Sequence, residues 1–189
     1  MSPRSPKNVL LTGPPGCGKT TVVRRLVQAL GRVRLAGFYT QEVRERGQRV
    51  GFEIVGRAGQ RCLLAHVDWR SHLRVGRYGV EPDRLVPVIE AELGQPPDKV
   101  DVYVIDEIGK MECLCPSFVE SLRRVLDDPA PVLATIALKG GGFIAEAKAR
   151  PDVRLVAVDP VNRDGLPDQL AGGLRGKSGV EPRTMGEER

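Results

Sequence analysis

The sequence predicts an α/β protein: a mainly parallel sheet with helices on both faces and one inserted antiparallel hairpin. Three observations carry this. Short, nearly continuous apolar runs such as Val9 to Thr12, Val100 to Ile105 and Val132 to Leu138 read as strands buried on both faces. Amphipathic helical patterns alternate with these runs, as the crossovers of a parallel sheet require. After the first helix the pattern turns β-rich over Gly37 to Val43 and Val50 to Val55, around a polar segment containing Gly47, which reads as a hairpin.

In chain order, residues 1–7 are expected to form a loose leader, because Pro3 and Pro6 break regular structure. Val9 to Thr12 is the first strand. Lys19 to Leu30 is a helix with Val22, Val23, Leu26, Val27 and Leu30 at helical spacing and Gly31 as its stop. After the hairpin and the turn at Ala58-Gly59-Gln60, Arg61 to Val67 adds a third strand, and Trp69 to Glu81, with no clear period, reads as loop. From Asp83, the apolar positions Leu85, Val86, Val88, Ile89 and Leu93 suit a helix with Pro87 in its first turn. Val100 to Ile105 is a strand ending in two acids. Phe118, Val119, Leu122, Val125 and Leu126 mark a helix that Pro129 and Pro131 end. Val132 to Leu138 is a strand, Phe143 to Ala149 a short helix and Val153 to Val158 a last strand. Leu166 to Leu174 is a short helix that Gly172-Gly173 should cut, and residues 175–189, of mixed charge, read as a disordered tail. That leaves 8–174 as a single domain.

Composition narrows the function classes. The chain has 189 residues, 41% of them hydrophobic, enough for one core. Four Cys with two His exclude a disulfide-dense scaffold or an array of zinc sites. There is no secretory pattern and no run near the roughly 18–20 apolar residues of a membrane span, so a cytoplasmic protein, monomeric and without a membrane partner, is expected. The net charge of +5, with eight Arg between Arg44 and Arg77, suits a polyanion. With aromatics at 4%, stacking surfaces are scarce, which favours a nucleotide over nucleic acid.

Gly13-Pro14-Pro15-Gly16-Cys17-Gly18-Lys19-Thr20 satisfies G-x-x-x-x-G-K-[ST] between a strand and a helix, as a phosphate-binding loop requires. Its glycines let successive N–H groups face a phosphate chain, and the helix beginning at Lys19 adds its positive dipole end. With Thr21, Gly13 to Thr20 form the expected nucleotide-contacting set; Lys19 would reach the β- and γ-phosphates and Thr20 would ligate Mg²⁺. Cys17 reads as a tolerated small residue, with a redox switch as the alternative.

Asp106 and Glu107 stand at the carboxyl end of an apolar strand, where ligands bind in open α/β sheets. Asp106 is expected to hold Mg²⁺ through its water shell, and Glu107 to polarise water against the γ-phosphate. Surface capping by Glu107 is the plain alternative. An acid beside the metal-binding Asp resembles the P-loop ATPases with an additional catalytic glutamate. Asn162-Arg163-Asp164 stands in the wrong register for guanine recognition, which argues against a switch GTPase. Lys110 is the best-placed extra cation, with Arg44, Arg49 and Arg163 behind it; solvated surface or salt-bridge roles compete for all four. Trp69, Phe38 and Tyr39 are candidates for base stacking or for core. Cys113-x-Cys115 has the wrong spacing for a zinc knuckle.

Asp106-Glu107-Ile108-Gly109-Lys110-Met111-Glu112, with Leu11 to Gly16, Gly37-Phe38-Tyr39-Thr40, Glu42-Val43-Arg44, Arg49-x-Gly51-Phe52 and Asn162-Arg163 in order, resembles the THEP1-type nucleoside-triphosphatases from Lys7 to Leu174. The resemblance implies a RecA-like P-loop fold, in which an extra strand separates the phosphate-loop strand from the acidic one. It also implies slow, Mg²⁺-dependent hydrolysis of the terminal phosphate of ATP, GTP and other nucleoside triphosphates. Val132 to Ala137 supplies the extra strand, with Thr135 expected either to face the γ-phosphate or to be a β-branched filler. Two other classes stay open: a P-loop kinase with an Arg-rich lid over Arg44 to Arg77, and an ATP-dependent nucleic-acid-binding module.

Overall fold

The computed structural model describes residues 6–175; most of the expected leader and residues 176–189 of the expected tail lie outside the described residues. Lys7 is described, and its ammonium donates to the Asp128 carbonyl. Strands β1 (Asn8–Thr12), β2 (Leu35–Glu45), β3 (Gln48–Gly56), β4 (Arg61–His66), β5 (Arg74–Val75), β6 (Tyr78–Val80), β7 (Val102–Ile108), β8 (Val132–Ile136) and β9 (Val153–Ala157) form one nine-stranded sheet in the order β5-β6-β4-β3-β2-β7-β8-β1-β9. β2, β7, β8, β1 and β9 are parallel, and β3, β4, β6 and β5 extend the sheet antiparallel. The helices are α1 (Lys19–Leu30), α2 (Val86–Leu93), α3 (Pro116–Asp127), α4 (Phe143–Ala149) and α5 (Leu166–Arg175).

The apolar strands face both ways. Val9 and Leu11 of β1 and Val102 and Val104 of β7 pack on one side with Val22, Leu26 and Leu30 of α1 and Leu166, Leu170 and Leu174 of α5. Leu10, Tyr103 and Ile105 point to the other side, into a core closed by Val88 and Ile89 of α2, Phe118 and Leu122 of α3, and Ile144 of α4. This is the RecA-like P-loop architecture, and β8 is the extra strand, pairing with β1 on one side and β7 on the other.

Asn8 pins the amino end of this arrangement. Its fully buried amide nitrogen donates to the Leu126 carbonyl and to Asp152 Oδ2, both at 3.1 Å, while its oxygen accepts from Val132 N at 2.9 Å. Asn8→Ala would strand these groups away from water, and the expected loss is about 2–3 kcal/mol, read from chemical denaturation.

Two sequence expectations are corrected. The segment Trp69 to Glu81 is not simply loop: β5 and β6 form a short hairpin on the edge of β4, held where Arg49 Nε donates to the Tyr78 hydroxyl at 2.9 Å and stacks on Phe52. Strands of two and three residues are too short for a period to register. Nor does Gly172-Gly173 cut α5, which runs through both glycines. Each costs about 1 kcal/mol relative to Ala, but Leu166, Leu170, Ala171 and Leu174 stay buried, and burying one large apolar side chain contributes about 1.5–3 kcal/mol.

Candidate nucleotide site

The loop between β1 and α1 is built on positive φ at Gly16 (76°) and Gly18 (109°), conformations that cost a residue with a Cβ. Gly18 is the N-cap of α1 and has no side chain to block the first-turn amides, so those N–H groups stay open to an anion. Lys19 Nζ lies across the loop, donating to the carbonyls of Gly13 at 3.0 Å and Pro14 at 3.1 Å. Pro14, Pro15, Gly16 and Thr21 are exposed, and Cys17, Gly18 and Thr20 half-exposed. The Cys17 sulfur packs against Gly13.

Strand register brings the acids to the same edge. Leu11 of β1 aligns with Thr135 of β8, and Ile105 of β7 with Ala134, so the carboxyl ends of the three strands stand side by side. The β7–β8 register then slips between Ile105 and Ile108, which takes Asp106 and Glu107 out of the regular ladder, a common arrangement beside active sites. Asp106 is buried and accepts a 2.6 Å hydrogen bond from Thr135 Oγ1. Thr135 is itself fully buried, and its bond to Asp106 is a contact that neither of its two expected roles included.

Glu107 is half-buried and close enough to Lys19 for the ammonium to act on its carboxyl. Burial pushes its carboxyl above the ordinary range, the Lys19 ammonium pulls it back down, and Asp106 adds to the rise. Lys110 is exposed in the segment leaving β7. The other cations have partners: Arg44 and Arg49 both pair with Glu42, at 2.6 and 2.7 Å. Arg163 lies over Gly18, its Cδ 3.1 Å from where a Cβ would sit. Beside it opens a pocket of about 270 Å³, lined by Gly18, Thr21, Val22, Arg25, Arg163 and Asp164.

The donors around the loop fit a small hard cation. Thr20 and Asp106 offer oxygen alone, and Thr12 Oγ1, where β1 enters the loop, is buried without a hydrogen-bond partner. Among the described residues there is no cluster of three or more His, Cys, Asp or Glu that could hold a metal ion.

Comparison with known proteins agrees with this geometry. The NTPase family model matches residues 8–171. The chain is 42% identical to nucleoside-triphosphatase THEP1 of Natranaerobius thermophilus over 167 residues, covering 87% of this chain and 94% of that one. The chain belongs to the THEP1-type nucleoside-triphosphatase family. A mouse cancer-related nucleoside-triphosphatase homolog is 36% identical over 87% of this chain and 95% of its own length. The crystal structure of THEP1 from Aquifex aeolicus superposes with a TM-score of 0.78 at 33% identity, covering 88% of this chain and 98% of that one. The solution structure of a human cancer-related nucleoside triphosphatase gives 0.77 at the same identity, covering 90% and 98%. This THEP1-type chain is thus an enzyme of the nucleoside-triphosphatase class, and no helix among its described residues is long and apolar enough to cross a membrane.

Other sequence candidates resolve into structural parts of the THEP1-type fold. Phe38 is buried against Phe118, with ring centroids 5.8 Å apart, and Trp69 lies at the far end of the sheet under Arg84. Burial pushes the Cys113 thiol up to about 12 and raises that of Cys115, so both stay protonated. Asn162 builds its own turn, donating to the Ala157 carbonyl at 2.9 Å and accepting from Asp159 N at 3.0 Å. Sequence reasoning missed the Thr135–Asp106 contact, the placement of Arg163 and the burial of Glu112. A carboxylate two residues past the Gly109-Lys110 pair gives no local sign of being interior.

Proposed function

We propose that this THEP1-type enzyme hydrolyses the terminal phosphate of ATP, GTP and other nucleoside triphosphates, with Mg²⁺, slowly and with broad tolerance of the base. The observation that carries this reading is Glu107 facing Lys19 at the carboxyl edge of the sheet. Main-chain amides of Gly13 to Thr20 bind the phosphates, and Lys19 exchanges its two loop carbonyls for phosphate oxygens. Thr20 and Asp106 would hold Mg²⁺, which when bound neutralises charge developing on the phosphate oxygens. Glu107 orients a water in line with the γ-phosphate and takes its proton. Thr135 keeps Asp106 turned towards the cleft.

Slow turnover follows if Lys110 is the extra transition-state cation, because it must first be drawn in from an exposed position. A supplied arginine finger is worth about 10³–10⁵ in rate. Base tolerance follows if the phosphates and the metal carry the affinity; in the pocket beside the loop Arg25 and Asp164 pair with one another at 2.8 Å. The deciding experiment is a phosphate-release panel over ATP, GTP, CTP and UTP, each with and without a candidate acceptor. All four are expected to turn over within about an order of magnitude in kcat/KM, a spread of about 1.4 kcal/mol. Activity should vanish on chelation and return with Mg²⁺. Release that needs an acceptor would instead favour the kinase reading.

A further inference from the structure

Among the described residues Glu112 is buried, at 4% exposure, as are the charged residues Glu92 and Asp106; it stands on the turn Glu112–Leu114 just past the acidic strand. Nothing in the reaction described so far uses it. Its surroundings point back to the site. Gly109 N and the backbone of Glu112 itself donate to its carboxyl, and Thr40 Oγ1 reaches Glu112 Oε1 across 3.5 Å. Thr40 is one residue beyond Tyr39, the β2 partner of Asp106, so β2 brings the hydroxyl to the level of the acids.

Gly109 is the meeting point. A Cβ there would lie 2.6 Å from Glu112 Oε2 and 3.5 Å from Glu107 Oε1, so the two carboxyls converge on the space that a side chain at Gly109 would fill. Like charges at such separations couple, the effect operating over about 4–6 Å. We propose that Glu112 is a positioning residue: through the turn at Gly109 it holds the Glu107 carboxyl on the line of the attacking water. This rests on the hydrolase reading given above.

The arrangement works only while Glu112 carries its proton. Burial pushes its carboxyl up to about 8, the backbone donors of its own turn pull against this, and Glu107 adds to the rise. The titratable groups bearing on it are both acids: Glu107 from β7 and the Cys113 thiol beside it. The cations of α3 look elsewhere, Arg123 to Glu146 and Arg124 to the Leu93 carbonyl. On the neighbouring turn Pro82–Leu85, Arg84 pairs with Glu81 and stacks on Trp69, and Asp83 bears on Cys115. Once Glu112 ionises, two negative charges flank Gly109 and drive Glu107 off line.

The test uses the full chain, with Mg²⁺ and ATP, and phosphate release followed from about pH 6 to about pH 10. The wild type should lose kcat on an alkaline limb with an apparent pKa near 8. Glu112→Ala should lower kcat about 10²-fold with little change in KM, the size expected when a reacting group is misplaced by about 1 Å. Glu112→Gln, neutral at every pH, should recover most of that loss and abolish the alkaline limb. Thr40→Val removes a donor that favours the ionised form and should move the limb to higher pH.

Stability offers a second reading. A folded-state pKa of about 8 against an ordinary 4.5 means that the contribution of Glu112 to stability is fully present below 4.5 and is lost as pH rises through 8. Glu112→Gln should therefore raise Tm relative to wild type more at the alkaline end of the range than at the acid end. An alkaline limb retained by Glu112→Gln, or a kcat loss as large as that of Glu112→Ala, overturns the inference; should Glu112→Gln not fold, an unmoved limb in Thr40→Val does so. If Glu107→Gln keeps wild-type turnover, it is the assignment of Glu107 that falls. If Glu107→Gln is inactive and the Glu112 and Thr40 variants keep the wild-type limb, positioning by Glu112 falls alone.

Discussion

Replacing Glu107 by Gln is expected to end phosphate release while nucleotide binding persists. The substitution keeps the size of the side chain and an oxygen that can accept from water, but removes the basic oxygen that takes the proton. General-base catalysis contributes about 10²–10⁴ in rate, so kcat should fall by that factor. Binding should survive because, in the proposed reading, the amides of Gly13 to Thr20 and not the Glu107 carboxyl hold the phosphates. Removing the carboxylate also takes a negative charge from beside Lys19 and Asp106, so affinity for a polyanion should rise slightly. Single-turnover phosphate release, paired with a nucleotide-induced shift in Tm, separates the two effects. Wild-type kcat in Glu107→Gln would refute its role as the water-orienting residue.

Lys19→Ala should damage binding and chemistry together. The ammonium has carbonyl partners on Gly13 and Pro14 and acts on the Glu107 carboxyl. A hydrogen bond to a charged group is worth about 1.5–3 kcal/mol, which corresponds to roughly ten- to a hundredfold weaker nucleotide binding. Loss of one preorganised donor at developing charge costs about 10²–10³ more in kcat. Because Lys19 opens α1 with its side chain outside the core, the fold should stand, and an unaltered wavelength-resolved melting profile without nucleotide checks this. An equal fall in kcat and no change in binding would mean that Lys19 acts only at the transition state.

Much of the charge in the basic segment is already engaged within the protein. Arg44 and Arg49 share Glu42, Arg61 pairs with Glu53 at 2.6 Å, and Arg74 and Arg77 donate to backbone carbonyls. Arg49 and Arg77 are also stacked on Tyr78. These arginines hold the β2–β6 extension together, so they are structural before they are available to a ligand.

Local chemistry decided what was legible in the sequence. α1 and α4 begin and end where the periodicity places them, because the glycine loop, Gly31 and the apolar spacing act within a few residues. The phosphate loop and the acidic strand end are likewise written in contiguous residues, and the alternation of apolar runs announces a sheet buried on both faces. What no window of sequence contains is register. Strand order put β8 between β1 and β7 and so turned Thr135 onto Asp106; the β2 alignment brought Thr40 to Glu112; the last loop laid Arg163 over Gly18. Those contacts join residues far apart in the chain, and only closure of the whole sheet fixes which of them meet, since a shift of one residue in a strand turns its side chains to the opposite face.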